Sequence, residues 1–211
     1  MSHFELESLY RSLDGLEACP GRQEGYPEFA GCFREVLEVI VLEQPDWAAR
    51  AQPLLGAPEE KLRGWLQAHL AGELDEGELL TFALEQTLRR FWRGEGRELE
   101  DGPEGDECPV CGARADVAYL DKDGFRHAVC SRCDSRWPVP RILCLRCGEK
   151  DAKKIEYYPY EEGYRLYHCH SCDGLLPAVD LREAGRLDLA KLRAAAAEMQ
   201  ALFEEGKIAE E

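Results

Sequence analysis

The chain has 211 residues, 45% of them apolar, which is enough for one ordinary domain or two small ones with a real core. No run approaches the roughly eighteen apolar residues of a membrane span, and the opening MSHFELESLY is acidic where an export signal would be basic and then apolar, so the expected compartment is the cytoplasm. A net charge of −16 repels phosphate backbones, which removes nucleic acid from the expected partners and favours a protein.

The charge is unevenly spread. Residues 1–107 hold 10 Lys and Arg against 24 Asp and Glu, whereas residues 108–180 hold 11 against 11. The acidic part has helical periodicity. Leu6, Leu9, Tyr10 and Leu13 recur at i, i+3, i+4 and i+7, and Phe29, Phe33, Val36, Leu37 and Ile40 keep the same period. Pro58 followed by Glu59 and Glu60 marks a helix start, before Leu62, Trp65, Leu66 and Leu70. A fourth helix carries Leu80, Leu84, Thr87, Leu88 and Phe91 and is stopped by Gly94 and Gly96. Short loops between four one-sided helices predict an antiparallel bundle. Within it Cys19 and Cys32 have no partner spacing, and each is expected to pack as a small hydrophobe.

The stretch GEGRELEDGPEGDE, residues 94–107, is acidic and interrupted by glycines, so it is expected to be a linker or mobile loop. Beyond it come four CxxC pairs: Cys108 and Cys111, Cys130 and Cys133, Cys144 and Cys147, Cys169 and Cys172. Taken in chain order they form two units, with 18 residues between the pairs of the first and 21 between those of the second. That is the spacing of a four-cysteine zinc ribbon or rubredoxin-like site, in which two tight turns aim four sulfurs at one cation. Interleaved pairing is the alternative, which spacing does not exclude. In a reducing compartment metal ligation is favoured over disulfides, and the βαβ setting of a thiol-disulfide centre is missing.

Gly112 and Gly148 follow the second cysteine of the first and third pairs, where positive φ is often required. Asp123-Gly124 and Glu162-Gly163 each sit between short alternating runs and predict two hairpins. Pro138 and Pro140 stiffen the connector between the units, and Trp137 is expected to cap the first unit or pack the two together. His127, His168 and His170 lie beside the cysteines. Four sulfurs already complete each site, so supporting or surface roles are expected for them. Leu189, Leu192, Ala196, Met199 and Phe203 restore a helical period up to Gly206.

The expected fold class is therefore multi-domain α+β. It comprises a helical domain over 1–93, an acidic linker over 94–107, metal ribbons over 108–140 and 141–180, and a C-terminal helix over 181–211. Each of the eight paired cysteines is expected to ligate one of two metal ions, zinc or iron.

The series CPVCGARA, CSRCDSRWPVPRILCLRCG and CHSCDG resembles the FdhE family, accessory proteins of formate dehydrogenase, with Trp137 four residues after the second pair and Arg141 three before the third. The resemblance implies a mostly helical N-terminal part and two rubredoxin-like modules. It also implies a non-catalytic cytoplasmic protein that binds the catalytic subunit of formate dehydrogenase during maturation. The eight cysteines carry over as ligands, and no catalytic residue does. Where the family usually has Tyr-Leu-Lys, this chain has Leu175-Leu176-Pro177, and its helical part is shorter than usual. Two other readings compete with this one: a zinc-ribbon nucleic-acid or transcription-associated protein, and a thiol-disulfide oxidoreductase.

Overall fold

The structure, a computed structural model, describes residues 3–16, 26–92 and 96–208. The chain divides into two compact units, one of residues 8–94 and the other of residues 1–7 and 95–211.

Among the described residues, five α-helices precede residue 93: α1 (His3–Gly15), α2 (Tyr26–Glu43), α3 (Ala48–Leu55), α4 (Glu59–Ala71) and α5 (Glu78–Trp92). One more helix is present than the periodicity predicts. The added one, α3, is eight residues long, contains Pro53 and buries only Ala51, so it carries no apolar stripe to read. The expected apolar faces meet in one core around Leu9, Phe33, Leu37, Ile40, Leu62 and Leu84. Leu70 is an exception, since it faces solvent. Helix α4 starts after Pro58 and ends at Gly72, whose φ of +72° suits the left-handed C-cap that glycine adopts without strain.

Cys32 is buried in the core at 6% exposure, as expected, but it is disulfide-bonded and not a free thiol. Cys19 lies outside the described residues, as do Gly94 and the helix stop read there.

The second unit is built on a six-stranded sheet. Its strands are β1 (Ala115–Leu120), β2 (Arg126–Cys130), β3 (Arg136–Val139), β4 (Ile155–Pro159), β5 (Tyr164–Cys169) and β6 (Gly174–Asp180). The order is β3-β2-β1-β6-β5-β4. Both predicted hairpins are present: β1 pairs with β2 through the turn at Gly124, and β4 with β5 through the turn at Gly163. Strands β3 and β6 complete two antiparallel triplets. A parallel seam joins these, placing Ala118 beside Ala178 and Leu120 beside Asp180. The two cysteine units are thus halves of one sheet.

The prolines fit this arrangement. Pro138 lies on edge strand β3, where a missing donor is tolerated, and Pro177 precedes Ala178, the first residue paired with β1. Two helices follow the sheet, α6 (Leu181–Ala184) and α7 (Leu189–Glu204). Helix α7 is capped by the Asp188 side chain, which accepts from Lys191 N at 3.1 Å. Its face with Leu192, Ala195, Ala196 and Met199 packs onto Val117, Val129, Leu166 and Val179, so the C-terminal helix shares a core with the cysteine-bearing sheet.

The described part of the acidic segment expected to be a linker is packed instead. Arg97 O accepts from Arg136 N at 2.8 Å, Leu99 N donates to Arg136 O at 2.9 Å, and Ala115 N donates to Asp106 O at 2.7 Å. A Cβ on Gly102 would lie 2.6 Å from the fully buried Trp137. The glycine that suggested flexibility is there because an indole lies against the backbone. Gly102→Ala is accordingly expected to destabilise this unit by about 1–3 kcal/mol, the usual cost of overpacking, read as a lowered denaturant midpoint. A freely mobile linker would show no change.

Candidate metal centres

Each CxxC turn folds in the same way. Gly112 N donates to Cys108 O and Gly148 N to Cys144 O, both at 2.9 Å, and the two glycines have φ of +73° and +78°. In the second and fourth pairs Asp134 and Asp173 take the equivalent position, with φ of 59° and 52°. Aspartate is among the few residues with a side chain that enter the left-handed region readily. All four turns are therefore one motif, with glycine and aspartate interchangeable at its strained position. Amide hydrogens turn inward toward sulfur: Val110 N lies 3.4 Å from Cys108 Sγ, and Arg132 N lies 3.4 Å from Cys130 Sγ.

The turns meet in chain order. Cys108, Cys111, Cys130 and Cys133 form one cluster, and Cys144, Cys147, Cys169 and Cys172 another, with the sulfurs of each within 4.8 Å of one another. All eight are free thiols. Sulfur separations are 3.6 Å for Cys108–Cys133, 3.4 Å for Cys111–Cys130, and 3.7 Å for both Cys144–Cys172 and Cys147–Cys169. A tetrahedral ion with bonds of about 2.3 Å holds its sulfurs about 3.8 Å apart, so both clusters could hold a metal ion with little adjustment.

Protonation follows the same logic. In the first cluster, hydrogen bonds from the Cys130 thiol and Ser135 bring Cys133 down to about 5, while burial pushes Cys111 up to about 11. In the second, burial pushes Cys144 up to about 12, whereas the Glu149 backbone amide lowers Cys147. Each cluster thus sets a sulfur shifted toward the thiolate, Cys133 or Cys147, beside one shifted away from it, Cys111 or Cys144. A divalent cation would displace the thiol protons and remove the conflict.

The surroundings hold the turns in place. Ser135 Oγ lies 3.0 Å from Cys133 Sγ. Glu149 Oε2 accepts from Ser171 at 2.7 Å and from Lys154 at 2.9 Å, tying the third turn to the fourth, and these contacts lower its carboxyl to about 2. Arg193 on α7 reaches Asp134 and the Cys130 carbonyl, a connection that spacing along the chain could not reveal. Arg126, only 2% exposed, lines a cavity of about 170 Å³ with Cys144, Cys169, Leu175 and Leu176 beside the second cluster. Its position in an otherwise ordinary strand gave no signal. Leu175-Leu176-Pro177, the departure from the family pattern, lies in β6.

The three flanking histidines join neither sulfur cluster. His127 stacks on Tyr119 with ring centroids 4.8 Å apart and meets Asp121 at 3.1 Å. His168 and His170 are taken up below.

The family description "FdhE, central domain" matches residues 107–141, the segment holding the whole first cluster. An FdhE homolog from Aquifex aeolicus is 30% identical over 84 residues, and one from Pseudomonas putida is 27% identical over 144. These relatives are FdhE homologs, and the chain is similar to each over part of its length. The crystal structure of the FdhE protein from Pseudomonas aeruginosa shares the fold, with a TM-score of 0.63 and 24% identity, over 95% of this chain and 82% of that one. The Aquifex alignment covers 37% of this chain and 30% of that FdhE homolog, and the P. putida alignment 59% and 44%. The chain therefore spans less than half the length of these two curated relatives. No described helix is long and apolar enough to cross a membrane.

Proposed function

We propose that this chain is a non-catalytic, metal-binding accessory protein that holds the catalytic subunit of formate dehydrogenase during its maturation in the cytoplasm. The observation that carries the reading is the pair of four-sulfur clusters set into one continuous sheet. Four cysteines that close around one ion leave it no open coordination position, so these centres suit shaping a surface rather than turning over a substrate. The FdhE relatives supply the direction of that reading.

The eight paired cysteines are the ligands in this proposal, and the ions are zinc or iron. Bound zinc would contribute folding free energy alone, whereas iron in the same four-sulfur site would also carry one electron. A four-sulfur donor set is compatible with both.

The test is affinity capture from native extract with the chain as bait, together with elemental analysis of the bait. Enrichment of the catalytic subunit of formate dehydrogenase, at least about tenfold over a bait whose clusters are stripped by chelation, is the expected outcome. Metal-loaded bait that captures no formate dehydrogenase subunit from cells making the enzyme would overturn the assignment.

A further inference from the structure

His168 and His170 stand one residue either side of Cys169. Successive residues of a strand point to opposite faces. While Cys169 turns into the second sulfur cluster, its two neighbours turn to the other face of the sheet. The ladder continues past the end of β5, since His170 N donates to Lys154 O at 2.9 Å. Across the hairpin, Glu156 of β4 is in direct register with His168. These three residues from two adjacent strands form a group whose ligand atoms all lie within 4.8 Å of one another.

The details have the marks of a cation site. His170 Nε2 lies 3.0 Å from Glu156 Oε2, and the two imidazole rings meet edge to face with centroids 4.6 Å apart. The Tyr158 hydroxyl donates to Glu156 Oε2 at 2.9 Å and fixes the carboxylate. Asp173 Oδ1 lies 3.3 Å from His168 Nε2, the kind of carboxylate-imidazole contact that fixes ring orientation at metal centres. On the same ring, Nδ1 is shielded from solvent and has no hydrogen-bond partner, although the residue is 91% buried. A buried ring nitrogen without a partner is unfavourable, and coordination would relieve it. His170 and Glu156 are about half exposed, so an ion can reach the group from water.

We propose that Glu156, His168 and His170 form a third metal site, for a borderline divalent transition cation of which Zn²⁺ is the representative. Two imidazoles and a carboxylate suit such an ion, whereas the four-sulfur sites favour softer thiolate chemistry. Three protein donors leave a coordination position for water. This site is therefore open and exchangeable where the sulfur clusters are closed. It is independent of the accessory role, and neither proposal requires the other.

The test is calorimetric titration with Zn²⁺ of protein whose two four-cysteine sites are already filled with zinc. One further equivalent at micromolar affinity is expected, together with shifts of the His168 and His170 imidazole ¹⁵N resonances. His170→Ala is expected to weaken this equivalent by more than about tenfold while leaving the other two zinc equivalents in place. Glu156→Gln, which keeps shape and hydrogen bonding, supplies the same test should the alanine variant fold poorly. Wild-type protein that takes up no third equivalent, or both variants binding it as tightly as wild type, would overturn the site.

Discussion

Cys130→Ser is expected to hold one metal equivalent instead of two and to lose the folded structure around the first cluster. Cys130 is fully buried at the end of β2, with its sulfur 3.4 Å from Cys111. Its backbone is equally committed, because its amide donates to Ser135 O at 2.9 Å and its carbonyl accepts from Arg193 at 3.1 Å. Structural zinc contributes about 10–16 kcal/mol in finger peptides, comparable to the whole stability of an ordinary domain at about 5–15 kcal/mol. Losing one of four ligands forfeits much of that, and the short hairpin β1–β2 has little else to hold it in water.

Elemental analysis and thiol alkylation read by mass spectrometry check both parts of the expectation. Cys108, Cys111 and Cys133 should become reactive, while Cys144, Cys147, Cys169 and Cys172 stay protected. Simultaneous loss of both ions would mean that the parallel β1–β6 seam makes the sheet one cooperative unit. Retention of two equivalents would contradict Cys130 as a ligand.

What the sequence made legible is what is encoded locally. The CxxC spacing and the two hairpin turns place their own atoms, because a turn and two adjacent thiols are determined within a few residues. The apolar stripes of α1, α2, α4 and α5 are similarly local. The remainder depends on contacts distant along the chain. Strand β6 pairs with β1 some sixty residues earlier, as Ala118 beside Ala178 shows, and no local pattern encodes that seam. Asp134 and Asp173 read as ordinary acids until their positive φ shows them standing in for glycine. The histidine-carboxylate group was split in the same way. His168 and His170 are visible beside Cys169, but Glu156 joins them only through the β4–β5 register. The segment 96–107 was misleading because acidity and glycine together mimic a linker, while here the glycine makes room for Trp137.

Arg193→Met is expected to cost about 3 kcal/mol and to loosen the first cluster in particular. The guanidinium is 4% exposed on α7, with Nε 2.6 Å from Asp116 Oδ2 and Nη2 2.8 Å from Asp134 Oδ1. Burial acts to lower its pKa, but the charges of Asp116 and Asp134 outweigh this and raise it, so the cation is held firmly. Removing one partner from a buried ion network typically costs about 3–5 kcal/mol because the remaining charge is left uncompensated. Here the lower end applies, since Asp116 and Asp134 are about 30% exposed and water can partly screen them. The damage should be local to one cluster, because Asp134 holds the left-handed position just after Cys133, and Arg193 also anchors the Cys130 carbonyl. Arg193→Lys keeps the charge but lacks the fork that reaches Asp116 and Asp134 together, so it should recover only part of the loss. Denaturant unfolding of the metal-loaded variants, with chelator competition monitored for each ion, separates the two effects. A shift below about 1 kcal/mol for the methionine variant, or equal weakening of both ions, would show that α7 does not brace the first cluster through this residue.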